Sequence, residues 1–177
     1  VAAVLALSAC SSPQDAAPPE TSVGPAVSEP ATAAGGRQPW GGFPEATLEV
    51  RTPDSFFEWC VLVAATEAAR QRGLMDAPGP ELGGYDGMLF VFDGDTTGGF
   101  WMQDTEVPLT IAYLDGDGRL VSTADMDPCP PGSDRCPAYA PDGPYRTALE
   151  VPQGGLAALG VDADSQAVLT DRACSPV

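Results

Sequence analysis

Apolar side chains occupy every second position in Phe57, Trp59, Val61 and Val63, with the mixed set Phe56, Glu58, Cys60 and Leu62 between them. A period of two places the two sets on opposite faces of an extended strand and does not fit a helix. The same signature recurs in short segments: Thr47 to Arg51, Leu109 to Leu114, Arg119 to Met126, Tyr145 to Val151, Ala167 to Thr170 and the brief Phe100 to Met102. Gly87 to Phe92 is continuously apolar, which suits a strand buried on both faces. Asp115-Gly116-Asp117-Gly118 is a hairpin signal, and Pro152-Gln153-Gly154-Gly155 ends the strand before it. Thr66 is placed to cap a short helix from Glu67 to Arg72, with Gly73 as its stop. About eight short strands and one short helix predict a mainly β domain over residues 45–177, a compact antiparallel β-sandwich or a partly closed barrel.

The segment before residue 45 has little to add to that core, and Trp40 and Phe43 mark where packing begins. Residues 11–44 are mostly Ala, Pro, Ser, Gly and Thr with a few acids, so they bury too little to offset the entropy of ordering and are expected to form a linker. As a flexible coil it would span roughly 30–35 Å, and stiffened by proline about 100 Å. Ahead of it, Val1 to Leu7 is apolar and Ser8-Ala9-Cys10 follows. Seven residues are too short for a helix across a hydrocarbon layer of about 30 Å. Leu7-Ser8-Ala9-Cys10 resembles a bacterial lipobox, so residues 1–10 read as the end of a lipoprotein signal peptide, with Cys10 the lipidated residue. The expected location is the cell membrane, lipid-anchored and facing the extracytoplasmic side.

An exported address gives the remaining cysteines a meaning. Cys60, Cys129, Cys136 and Cys174 form an even set, which oxidising compartments convert to disulfides. Of the three possible pairings the spacing favours Cys129–Cys136, a tight loop, and Cys60–Cys174, which pins the C-terminus. Chain entropy assigns roughly 2.5 kcal/mol to the short loop and about 4.8 to the long one. A four-cysteine zinc site is the rival, but the chain lacks the paired knuckles that such sites favour, and no metal or cofactor is expected.

Composition removes whole classes of chemistry. The formal charge is −17, the eight basic residues are all arginine, and histidine and lysine are absent. Ser-His-Asp triads, Cys-His pairs, histidine metal sites and lysine Schiff bases are therefore excluded. Eight scattered arginines on an acidic background make no phosphate-binding patch, so nucleic acid is not an expected partner.

The order of motifs carries a resemblance. Arg70-Gln71-Arg72-Gly73-Leu74-Met75, Gly87-Met88-Leu89-Phe90-Val91-Phe92, Phe100-Trp101-Met102-Gln103-Asp104-Thr105, Val107-Pro108-Leu109 and Ala148-Leu149-Glu150-Val151-Pro152-Gln153-Gly154 resemble the domain of unknown function family 192 over residues 47–171. The resemblance implies a small, mainly β, sandwich-type domain, often exported, and no established activity. The family usually has Lys-Asn where this chain has Gln103-Asp104, Asp where it has Thr110, and Gly-Asp where it has Ala163-Asp164. Any work shared by that lysine and aspartate is done differently here.

Several residues invite a functional reading beside a plain one. Asp115-x-Asp117-Gly118 is half a calcium loop, but Arg119 takes the place of the third oxygen ligand, and a solvated turn explains the same residues. Asp93-Gly94-Asp95 reads as a turn on the same grounds. Trp101 lies between Phe100 and Met102 in a strand, where core is the ordinary place for it. Glu150 sits in an apolar strand, where an unpaired carboxylate is costly, so Arg72 or Arg146 is its expected partner. The alternative gathers Arg72, Trp101, Asp104, Tyr139 and Glu150 into a cleft with the tryptophan as a platform for a sugar or peptide. These readings favour a non-catalytic binding or assembly module that contacts a cell-wall glycan or another envelope protein. The alternative is a glycan-directed envelope hydrolase using Asp104 and Glu150 as paired carboxylates.

Overall fold

The computed structural model describes residues 36–38, 40–130, 133 and 135–175. Cys10 and residues 11–35 of the expected linker lie outside them. The described residues form a mainly β domain with nine strands and one short helix: β1 (Glu45–Arg51), β2 (Phe56–Ala64), α1 (Glu67–Arg72), β3 (Gly87–Thr96), β4 (Phe100–Trp101), β5 (Leu109–Leu114), β6 (Leu120–Met126), β7 (Ala138–Tyr139), β8 (Tyr145–Pro152) and β9 (Gln166–Leu169). Seven strands make one sheet in the order β6-β5-β8-β3-β2-β1-β9, while β4 and β7 pair by themselves.

The large sheet is mixed, which departs from the antiparallel arrangement expected. β2 and β3 run parallel, Val61 opposite Gly87 and Ala64 opposite Phe90. Parallel neighbours cannot be joined by a tight turn, so a crossover must carry the chain back. Residues 65–86 supply it, with α1 capped by the Thr66 hydroxyl, which accepts from Ala69 N–H. The edges of the sheet touch, among the described residues, through an Arg119–Gln166 bridge and an Ala167 N–H donated to Gly118 O. One such point of contact stops short of a closed barrel. Gly118 (φ 77°) has to be glycine there, because a Cβ would lie 2.2 Å from Ala167 O. Asp115 is committed to the same turn, its carboxylate accepting from the N–H groups of Asp117 and Arg119. Asp93-Gly94-Asp95, by contrast, is not a turn. It is the irregular end of β3, where the register with β8 shifts between Val91 and Thr96.

Period two sorts the core onto two faces. Val61, Leu89, Ala112, Leu114, Leu149 and Val151 face one side, where Leu156, Leu159 and Val161 cover them. Leu62, Met88, Phe90, Ile111, Tyr113 and Ala148 face the other, beneath Leu74, Leu82, Tyr85 and Met102. Full burial of side chains of this size is worth about 1.5–3 kcal/mol each, so both layers matter to stability. β3 is buried on both faces, as its continuous apolar run predicted. Gly87 begins it because β8 passes so close that a Cβ would stand 2.5 Å from Glu150 O.

Both pairings favoured by cysteine spacing are present. Cys60 and Cys174 are bridged, tying β2 to the C-terminal segment, which also accepts from Thr47 through Arg172 O and Ala173 O. Cys129 and Cys136 close the loop that leads into β7.

Candidate functional site

On the Phe90 face of the sheet a cleft of about 430 Å³ opens between α1, β4 and the ends of β3 and β8. Its lower wall is aromatic. Phe90 and Phe100 meet edge to face with centroids 4.8 Å apart, and Phe92 meets Tyr145 likewise at 5.5 Å. The Tyr145 hydroxyl donates to Gly98 O at 2.7 Å, fixing the turn into β4. Alternation in that strand turns Phe100 and Met102 inward and Trp101 outward, so Trp101 is 60% exposed on the cleft. The expectation that it belongs to the core is therefore corrected. Among the described residues β4 pairs only with the two-residue β7, and the outward face of that pair is where Trp101 stands exposed.

Glu150 lines the same cleft. It extends from the middle of β8, flanked by Met88 of β3 and Ile111 of β5, and is only 4% exposed. Among the described residues its carboxyl makes neither a hydrogen bond nor an ion pair, and the expected arginine partner is absent. Arg146 instead pairs with Asp95 at 2.7 Å, across the irregular end of β3. Arg72 donates to Gly41 O at 2.7 Å and lies over the rings of Trp40 and Phe43. Arg70 donates to Ala65 O and Val91 O and lies 4.8 Å from the Phe92 centroid. Desolvation thus acts on Glu150 without an offsetting cation and pushes its pKa from an ordinary 4.5 up to about 8. The raised pKa favours the carboxylic acid at neutral pH, able to donate a hydrogen bond or to ionise when a cation arrives.

Of the five cleft candidates, the structure brings Arg72, Trp101 and Glu150 together, and Asp104 and Tyr139 are not among the lining residues. Asp104 sits at a positive φ of 51° after β4 and accepts from the Gln103 amide. Tyr139 has a positioning place behind the wall. Its backbone pairs with Phe100, and its hydroxyl accepts from Asp127 N–H. Glu67, Arg70, Phe92, Thr105 and Tyr145 also line the cleft and were not anticipated. For Glu67 and Arg70 the signal was helical spacing, since positions 67 and 70 fall on one side of α1. The Glu45 carboxylate and the Cys60 and Cys174 sulfurs come within 4.8 Å of one another, but those sulfurs are joined and Glu45 accepts from the Tyr85 hydroxyl.

The family model described as "Uncharacterized ACR", domain of unknown function 192, matches residues 49–169. The chain belongs to this family. The family-192 domain here therefore includes β3, β4, β8 and every residue of the cleft described above. Two crystal structures share its fold. One is a Sinorhizobium meliloti protein described as a candidate transcription regulator, 22% identical, aligned over 72% of this chain and 95% of its own with a TM-score of 0.59. The other is a protein of unknown function from Novosphingobium aromaticivorans, 25% identical, aligned over 77% and 94% with a TM-score of 0.62. No curated protein matches the chain. The first likeness shows fold alone, so chemistry has to be argued from the family-192 cleft itself.

Proposed function

We propose that this family-192 protein is a non-catalytic binding module, held by a lipid on Cys10 at the outer face of the cell membrane, whose cleft takes an envelope ligand. The observation that carries the reading is Glu150, a buried carboxyl without a partner among the described residues, lining an aromatic cleft beside an exposed tryptophan. A few polar groups converging on an apolar concavity are the usual makings of a ligand site, and a shifted carboxyl within it strengthens the case. The lipobox and the proline-rich spacer support the location, and the two disulfides accord with an oxidising compartment.

The hydrolase alternative has one observation in its favour, the raised pKa of Glu150, which suits a general acid. It also needs a second carboxylate facing the same bond. Asp104 does not line the cleft, and the other lining carboxylate, Glu67, accepts from the Gln71 amide on its own helix. Binding without turnover is thus the better-supported reading.

The test is a titration of the full chain with chitooligosaccharides and wall stem peptides, followed by tryptophan emission and thermal shift, with products analysed in parallel. Saturable binding that Trp101→Ala abolishes, without cleavage, is the expected result. Binding that ignores Trp101→Ala would place the ligand elsewhere, and cleaved product would restore the hydrolase.

A further inference from the structure

We propose that the occupant of the cleft is a small organic amine, an apolar body bearing one ammonium group that ion-pairs with the Glu150 carboxylate. This rests on the cleft being the ligand site and names the chemistry of what it takes.

Charge complementarity is the main argument. Glu150 is buried, lines the cleft and has no partner among the described residues, so a counter-charge for its ionised form has to come from outside them. The protein's own cations cannot serve without breaking other contacts. Arg70 is tied to two carbonyls and an aromatic face, Arg72 to Gly41 O and two aromatic rings, and Arg146 to Asp95. The walls complete the match. Phe90, Phe92, Phe100 and Tyr145 offer apolar surface for the ligand body, and the Trp101 face can take a ring or a cation. A cleft of about 430 Å³ is of small-molecule size. The chain's charge of −17 draws cations toward it.

The proton balance follows from the groups present. Tyr113 from β5 and Tyr145 from β8 lie nearest in character, and burial pushes both phenols upward, so they stay neutral. Arg70, Arg72 and Glu67 from α1, together with Gln103 and Thr105 after β4, line the rest. An ammonium entering the cleft therefore displaces the Glu150 proton to solvent, and no other bond is made or broken.

The test is calorimetry of the full chain with 2-phenylethylamine, its neutral counterpart 2-phenylethanol and the anionic 3-phenylpropionate, at several pH values and in buffers of differing ionisation enthalpy. At pH 8 the amine should bind at least tenfold more tightly than the alcohol. Its affinity should rise about tenfold from pH 6 to pH 7 with release of roughly one proton. Glu150→Gln should abolish both the preference and the pH dependence. Should the alcohol or the carboxylate bind as well as the amine, or should amine affinity show neither pH dependence nor proton release, the amine assignment falls and the cleft stands. Should none of the three bind, the amine assignment falls, and the glycan and peptide titration decides the cleft separately. The wild-type pH dependence and proton count decide the matter even if the variant folds poorly.

Discussion

The Tyr113 hydroxyl donates to the backbone carbonyl of Tyr139 at 2.6 Å, tying β5 of the large sheet to the two-residue strand that supports Trp101. Tyr113 is fully buried, so its phenol has no water to turn to. Tyr113→Phe should cost about 0.5–1.5 kcal/mol in denaturant unfolding, or more if the Tyr139 carbonyl stays dry. It should also speed amide exchange in β4 and β7 ahead of the rest of the sheet. Uniform exchange across all strands would mean that the bond does not position the cleft wall.

The two disulfides should separate by their effects. Replacing Cys60 and Cys174 by alanine removes a bridge spanning 114 positions, whereas Cys129–Cys136 spans seven. Chain entropy predicts losses of about 4.8 and 2.5 kcal/mol, less any compensation in the native state. The short bridge leads into β7, so its loss should weaken ligand binding more than its modest stability cost suggests. Equal affinity with and without Cys129–Cys136 would contradict that coupling.

Cys10 offers a direct check of location. Cys10→Ala expressed with its natural signal should partition into the aqueous phase on detergent separation, while the parent chain stays with detergent. Recovery of the variant in the detergent phase would contradict lipidation at that residue.

What the sequence displayed, and what it concealed, follows from the range of the forces involved. Alternation along β2 and the unbroken apolar run of β3 were readable because each residue's burial is set by its own strand's pleat. The disulfides were readable because loop length and compartment restrict pairing. The β2–β3 parallel pair and the β7 strand were not, since β7 is two residues between prolines and owes its existence to Phe100 and Tyr113. Trp101 misled because period two reports which face a residue occupies, not whether anything covers that face. Glu150 misled for a related reason. The cost of a buried carboxyl was legible, but its relief by protonation and an open cleft depended on where three arginines had been committed.

Stability should carry a pH signature from Glu150. Its folded pKa, about 8, lies above the ordinary 4.5, so the folded protein holds a proton that the unfolded chain releases. The sign is therefore opposite to that of a salt-bridged acid. Its contribution is fully present below about pH 4.5 and declines as pH rises through about 8, at about 1 kcal/mol per unit from this group. Glu150→Gln should remove that slope in urea unfolding between pH 5 and 8. An identical slope in variant and parent would show that Glu150 does not titrate in this window.

The most direct measurement is a carbon-13 NMR titration of the Glu150 carboxyl, assigned by its loss in Glu150→Gln, in the empty protein and with 2-phenylethylamine present. A midpoint near 8 that moves downward on adding the amine is predicted. A midpoint near 4.5 in the protein alone, unmoved by the amine, would contradict a buried carboxyl that takes its cation from a ligand.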